Sequence, residues 1–393
     1  MRGKGTNKKA LVGGAVVAMS RLSTALVAQG CSLASKSAIV GSSRDIGRSL
    51  AVALRAMEIP IKYTRETRYL GVGVTGGARR PARVQRARIE GTGTRVKRVI
   101  KLTQITKRAR VLYKTGVQPA QHYGITSQCA SPSALRFFRG QANKCTGLKR
   151  GYCGRTACIW AHGNDGDPME TIPVDQLYQW FQCWRELELD PEYRDKIYRH
   201  WDAQVEDYRR NGPQWKKTKG AMRATINVLM ERGWTPTSPR LWRDPHEVAW
   251  EVASPGGQHE AIQHFRRLLS LTLWEEAAIS HYMSKGCEEG VDFTVARKLK
   301  ASLLREGKHD EAGLLDTIVT GAIWTEERRF KAGYRADPIC RLCGQQADTE
   351  MHRYWECPAL QTKHGDAEAI RHSKYLVGGA RSSWQSYPIY FTR

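Results

Sequence analysis

Near the carboxy end, three cysteines and one histidine follow the spacing Cys340-x2-Cys343-x8-His352-x4-Cys357, within CRLCGQQADTEMHRYWECP. A Cys-x2-Cys turn closed by Gly344 can present two thiolates to one ion, while His352 and Cys357 return on a short helical turn that Pro358 stops. Three sulfurs and one nitrogen complete a tetrahedral shell with no open position, which is how structural zinc is held. Because the shell is closed, the expected role of the metal is folding and not catalysis. The competing reading is three buried cysteines and a surface histidine.

Charge constrains the rest of the chain. Residues 1–150 hold 30 basic and 4 acidic side chains, net +26, whereas residues 151–393 hold 33 and 34, net −1. A balanced body joined to so basic a segment points to a polyanionic partner, RNA or DNA, because Lys and Arg that neutralise phosphates release counterions. A membrane-surface role would need a basic amphipathic helix with a broad apolar face carrying large aromatics, which this segment lacks, so no membrane partner is expected. Ten cysteines in 393 residues are too sparse for a secreted disulfide scaffold and suit a reducing compartment, nuclear or cytoplasmic.

The amino terminus has a basic start followed by ALVGGAVVAM at Ala10–Met19, which imitates a secretory or transit segment. The apolar pattern continues through Leu22, Ala25, Leu26 and Leu33, so a helix of the folded protein is preferred to a signal or transit peptide over 1–30. No stretch reaches about 18 consecutive apolar residues. Further along, the patterns predict a helix over 19–29 ended by Gly30, a strand at 37–41, a helix over 45–57 and a hairpin at 68–74. From Arg79 to Lys114 thirteen basic residues accompany the single acid Glu90, with Val84, Ile89, Val96, Val99, Ile100, Leu102, Ile105, Val111 and Leu112 interleaved. This reads as helices with one buried stripe and basic outer faces. Residues 151–168 read as a loop and a domain boundary. Beyond them the chain turns helical and rich in Trp, with Trp180 and Trp184 on one face, a helix between Pro213 and Gly233, and the longest periodic run at 258–284; core packing is the expected use of these tryptophans.

Other constellations carry little. Cys145, Cys153, Cys158 and His162 have irregular spacing and read as isolated buried thiols ahead of a second metal site. Gly71-x-Gly73-x-x-Gly76 matches a dinucleotide fingerprint only formally, since Ala-Arg-Arg-Pro follows where an apolar helix should begin.

Several segments, in order, resemble the carboxy-terminal half of a non-LTR (LINE-type) retrotransposon polyprotein. Lys36-Ser37-Ala38-Ile39-Val40 is similar to the strand that follows the catalytic palm of such reverse transcriptases. Tyr69-Leu70-Gly71-Val72 is similar to their primer-gripping hairpin, and residues 79–114, with Val117-x-Pro119 and Tyr123-Gly124, to the thumb. Leu315 to Trp324, then Cys340, Cys343, Thr349, His352 and Cys357-Pro358, resemble the terminal segment and its zinc knuckle. The likeness covers roughly residues 19–140 and 312–360.

The departures decide the expected chemistry. Polymerases of this family hold two Mg2+ ions with an Asp-Asp box, and the chain contains no Asp-Asp dipeptide. Mg2+ is therefore not expected as a cofactor, and neither is polymerase activity by the chain alone; a truncated remnant, or a gene lacking upstream exons, is the expectation. An RNase H reading fails because 170–330 does not offer its strands. The resemblance implies sequence-tolerant binding of RNA or DNA through residues 79–114, with phosphate contacts from Arg79, Arg80, Arg83, Arg86, Arg88, Arg95, Lys97, Arg98, Lys101, Lys107, Arg108 and Arg110, and with Tyr69 near a primer end. Two alternatives stand beside it: a host-retained protein-interaction module using the helical body and knuckle, and a fragment acting in trans with an intact reverse transcriptase.

The expected fold is mainly α with a small α+β amino-terminal part. Its segments are a palm-like piece at 1–78, a basic thumb-like piece at 79–150, a helical linker at 151–335, the knuckle at 336–360 and a tail at 361–393. Strands deprived of the rest of their sheet leave open edges, so 1–78 is expected to be poorly ordered or to associate.

Overall fold

The computed structural model of the chain describes residues 7–148, 153–188, 191–254, 256–281, 284 and 286–361. The expected tail lies, beyond residue 361, outside them. The elements run in the order α1 (Lys8–Ala28), β1 (Ala38–Val40), α2 (Arg44–Arg55), β2 (Lys62–Thr64), β3 (Glu66–Tyr69), β4 (Val72–Thr75), α3 (Arg83–Ile105), α4 (Gln118–His122), α5 (Pro132–Lys144), α6 (Gly154–His162) and α7 (Pro168–Glu188). There follow α8 (Pro191–Asn211), α9 (Gly220–Glu231), β5 (Leu241–Arg243), β6 (Ala249–Glu251), α10 (Gly257–Ser280), α11 (Thr294–Arg305), α12 (His309–Val319), α13 (Glu326–Lys331) and α14 (Pro358–Gln361). The chain is mainly α, with three two-stranded sheets among the described residues, and it divides into two compact units, each built from segments far apart in sequence.

The first unit comprises Met1–Lys97, Thr115–Ala134 and Ile172–Ile262. Helix α1 begins at Lys8, eleven residues before the sequence pattern suggested, because Asn7 caps it by accepting a hydrogen bond from the Lys9 N–H at 3.0 Å. None of its residues is buried, although Val16 and Met19 lie partly covered against Leu54, Ile59 and Ile61. By length and composition α1 could cross a membrane, a test that signal sequences and core helices also pass. Strands β1 and β2 pair in parallel, Ile39 opposite Tyr63, with α2 as the crossover that parallel pairing requires. Strands β3 and β4 form the expected hairpin, Tyr69 opposite Val72, with Gly71 at φ +82° in the turn. Gly76 allows a close approach: a Cβ there would sit 2.5 Å from the Gly41 carbonyl carbon. The fingerprint glycines thus serve local packing. The aromatic core stacks Trp180 on Trp184 at 5.9 Å and sets Trp201 5.0 Å from Trp180, with Phe181 stacked on Trp242.

The second unit comprises Arg98–Lys114, Leu135–Thr171 and Gln263–Arg393. Its core corrects the loop reading of residues 151–168: residues 154–162 form α6, and every residue from Arg155 to His162 is buried. The glycines and acids had suggested a solvated loop, but the acids are counter-ions. Asp167, wholly buried, accepts from Arg139 at 2.6 Å and Arg155 at 2.8 Å, and Arg155 also reaches Glu170 at 2.7 Å. Burial alone would push the Asp167 carboxyl up, yet Arg139 and then Arg155 hold it below the usual carboxylate range. A second buried acid, Asp316, receives Lys107 at 2.6 Å, the Trp160 indole N–H at 2.7 Å and Lys300. Apolar packing around Trp160, Trp274, Ile159 and Phe293 surrounds these polar centres.

Candidate metal centre and nucleic-acid interface

The loop bearing Cys340 and Cys343 folds back on itself, since the Cys340 N–H donates to the Gln346 carbonyl at 2.8 Å and the Gly344 N–H to the Cys340 carbonyl at 2.8 Å. Gly344 takes φ +67°, the left-handed conformation that so tight a turn demands. His352–Glu356 form one wide helical turn, closed by the Cys357 N–H on the His352 carbonyl at 2.7 Å, which sets His352 and Cys357 one above the other. As expected, the turn stops before Pro358, with Cys357 in extended backbone, and Pro358 then opens α14, where its missing N–H costs nothing.

These two pieces bring together all four residues expected to hold the ion. Their ligand atoms lie within 4.8 Å of one another, with Cys340 Sγ 3.9 Å from Cys357 Sγ and Cys343 Sγ 3.2 Å from His352 Nε2. A tetrahedral ion bound by thiolates at about 2.3 Å separates sulfurs by about 3.8 Å, so the donor set fits a metal ion. His352, Cys340 and Cys357 are buried. The Nδ1–H of His352 donates to Gln346 Oε1 at 3.2 Å, which fixes the tautomer that leaves Nε2 free to bind. The backbone N–H of Gln345 pulls the Cys343 thiol down to about 6, whereas burial pushes Cys340 up. Sequence reasoning missed Gln346 and also Asp348, which accepts from Arg353 Nε at 3.0 Å and from the Glu326 N–H at 2.7 Å. A polar residue inside the ligand spacing was the available signal. Cys145, Cys153, Cys158 and His162 do not gather: among the described residues they join no metal-competent group, and His162 Nε2 lies 3.0 Å from the Ala142 carbonyl.

Helix α3 sorts the basic residues. Its buried positions are Thr92, Val96, Val99 and Thr103, spaced to share one stripe. The stripe is half polar, contrary to the apolar pattern, because the Thr92 and Thr103 hydroxyls donate to the Ile89 and Ile100 carbonyls and are satisfied within the helix. Leu102, Ile105, Val111 and Leu112, expected in the stripe, are exposed. At 3.6 residues per turn, Arg83, Arg86, Lys97, Arg98 and Lys101 fall on the side opposite the buried stripe, with Arg95 at its flank and Glu90 as the one acid among them. All six cations are exposed, and so are Arg79 and Arg108.

Three other expected phosphate contacts, Arg80, Arg88 and Lys107, have structural partners. Arg80 donates to the Cys129 carbonyl at 2.9 Å. Arg88 lies over the Tyr123 ring at 4.8 Å and donates to the Tyr123 carbonyl at 2.7 Å and to the Gly71 carbonyl. Lys107 pairs with Asp316. Arg110 differs from these three: it is partly buried, which pulls its guanidinium down, and its Nη1 meets no hydrogen-bond acceptor among the described residues. The Tyr123 hydroxyl donates to the Leu70 carbonyl at 2.8 Å, so the hairpin tip is fastened while Tyr69 and Leu70 project with 66% and 76% exposure.

No family model, curated protein or solved structure matches the chain.

Proposed function

We propose that the chain is a nucleic-acid-binding protein of reverse-transcriptase descent, of the non-LTR type, with a structural zinc ion and no polymerase activity of its own. The observation that carries the reading is the face of α3, where six exposed cations meet one acid. Phosphate neutralisation needs that arrangement, and a merely solubilising helix would intersperse both signs. Descent rests on the order of the primer-grip-like hairpin, the basic helix and the Cys3His knuckle, and the lack of an Asp-Asp dipeptide argues against catalysis with Mg2+.

Zinc suits the knuckle because three thiolates and one imidazole in a closed tetrahedral set select it over harder ions. When bound, the metal supplies cross-linking of the loop and nothing more, since no ligand position remains open. The ten free cysteines agree with a reducing compartment.

Fluorescence anisotropy of the zinc-loaded chain against a labelled RNA–DNA hybrid, repeated over several salt concentrations, tests the reading. Log affinity is expected to fall steeply with log salt. Replacing Arg83, Arg86, Arg98 and Lys101 by Gln should flatten that slope while leaving the buried stripe intact, which deleting the helix would not. Affinity indifferent to salt, or to these replacements, sinks the proposal.

A further inference from the structure

Beside the knuckle, Trp324 and Tyr334 border an open cleft of about 430 Å3 together with Arg329 and Arg335. Local sequence explains its shape. Thr325 caps the short helix α13, accepting from the Arg328 N–H at 3.2 Å. Gly333, at φ +76°, ends the helix so that the Tyr334 N–H turns back to the Arg329 carbonyl at 2.8 Å. Tyr334 is thereby thrown outward at 73% exposure, with its ring edge-on to Trp324 at 5.6 Å. The loop is fastened below, where Arg353 bridges Asp348 and the Trp324 carbonyl.

The charges are not balanced. Arg329, Arg335 and Arg341 converge on one carboxylate, Glu326, at 3.1, 3.0 and 3.3 Å. A single carboxylate orients three guanidinium groups but cannot neutralise them, and Glu327, the next acid, is taken by Lys331 at 2.7 Å. Arg328 lies over the Trp324 ring at 4.8 Å. The result is an open aromatic face rimmed by surplus, pre-oriented guanidinium charge. An acidic peptide would use the charge and leave the rings idle. A duplex keeps its bases stacked on each other, whereas an unpaired base offers a π face and a phosphate together. The volume lies in the range of small-ligand pockets and suits one nucleotide.

We propose that this cleft is a subsite for one unpaired nucleotide of a single-stranded nucleic acid, its base on Tyr334 and Trp324 and its phosphate on Arg329 and Arg335. The proposal rests on the nucleic-acid-binding reading and adds a second contact, separate from α3. The test uses the full zinc-loaded chain with a blunt hybrid, the same hybrid bearing a single-stranded overhang, and the free single strand. The unpaired segments carry a fluorescent adenine analogue that dims on stacking. The overhang should tighten binding about tenfold and quench the analogue, Tyr334→Ala should abolish both effects, and Tyr334→Phe should keep them. Affinity for the blunt hybrid should be unchanged by either variant. An unquenched overhang, or an overhang affinity indifferent to Tyr334→Ala, overturns the subsite. Adenosine monophosphate competing as well as the single strand overturns the single-strand assignment. If the blunt hybrid fails to bind at low salt, the α3 reading falls, and the cleft is judged by the free strand's quench and its dependence on Tyr334.

Discussion

The arginines around α6 and those along α3 are the same side chain put to opposite uses. Arg155 is 1% exposed and divides its guanidinium between Asp167 and Glu170, while Arg98 stands exposed on the outer face of α3. Net charge counts both alike. What separates them is whether a protein acceptor, a carboxylate or a backbone carbonyl, claims the cation, since a claimed cation is structural and an unclaimed one is offered to solvent or phosphate. Three basic residues of 79–110, Arg80 and Arg88 on backbone carbonyls and Lys107 on Asp316, fall on the structural side although they lie in the basic segment.

The sharpest way to break this comparison is to remove the claimant. Asp167→Ala leaves Arg139 without its counter-charge and Arg155 with Glu170 alone, and it should cost about 3–5 kcal/mol of unfolding free energy in urea titrations. Because the folded carboxyl titrates below its unfolded value, its contribution is complete above about pH 4 and is lost as pH falls through the lower, folded pKa. A loss under 1 kcal/mol would mean that the network is decoration.

Burial of a different titratable group gives the next largest effect. His122 is pushed down to about 4 by burial, whereas an unfolded imidazole protonates near 6.5. Between those values the unfolded chain holds the extra proton, so stability is full above about pH 6.5 and declines as pH drops toward 4, by up to about 3 kcal/mol. In His122→Gln that part of the pH dependence should vanish, as urea midpoints taken from pH 4.5 to 7.5 would reveal.

The knuckle lies between the two extremes, as a centre whose partner is an ion. Gln346→Ala removes the acceptor that orients His352, and zinc affinity measured by chelator competition should weaken about 10–100-fold. Affinity unchanged by the substitution would show that the loop backbone alone orients the imidazole.

How much of this was legible in the sequence follows from the range of the interactions involved. The knuckle ligands were readable because spacing over eighteen residues fixes them, and the hairpin at Tyr69–Val72 because its turn glycine lies between β-forming residues. Helix α6 was not readable, since the buried status of Arg155 depends on Asp167 and Glu170 folding over it, and a Gly- and Asp-containing stretch otherwise looks solvated. The stripe of α3 was half legible: Val96 and Val99 follow the period, but burial of Thr92 and Thr103 depends on hydroxyls satisfied within the helix, which hydropathy counts as polar. The open position of Trp324 was not legible either, because nothing in the local sequence separates a ring at 38% exposure from the wholly buried Trp201 and Trp242.

The smallest expected change in stability is also the most informative about function. Arg98→Ala on α3 removes a cation opposite the buried stripe, with no carboxylate partner among the described residues, so stability should stay within about 0.5 kcal/mol of the parent. Hybrid affinity should nevertheless fall, and the slope of log affinity against log salt should shrink by about one ion for each such residue removed. The same substitution at Lys107, which Asp316 claims, should reverse the pattern, costing stability while leaving the slope nearly intact. If Arg98→Ala and Lys107→Ala instead shift the salt slope equally, then carboxylate pairing does not sort these cations, and the basic segment acts on nucleic acid as a diffuse charge.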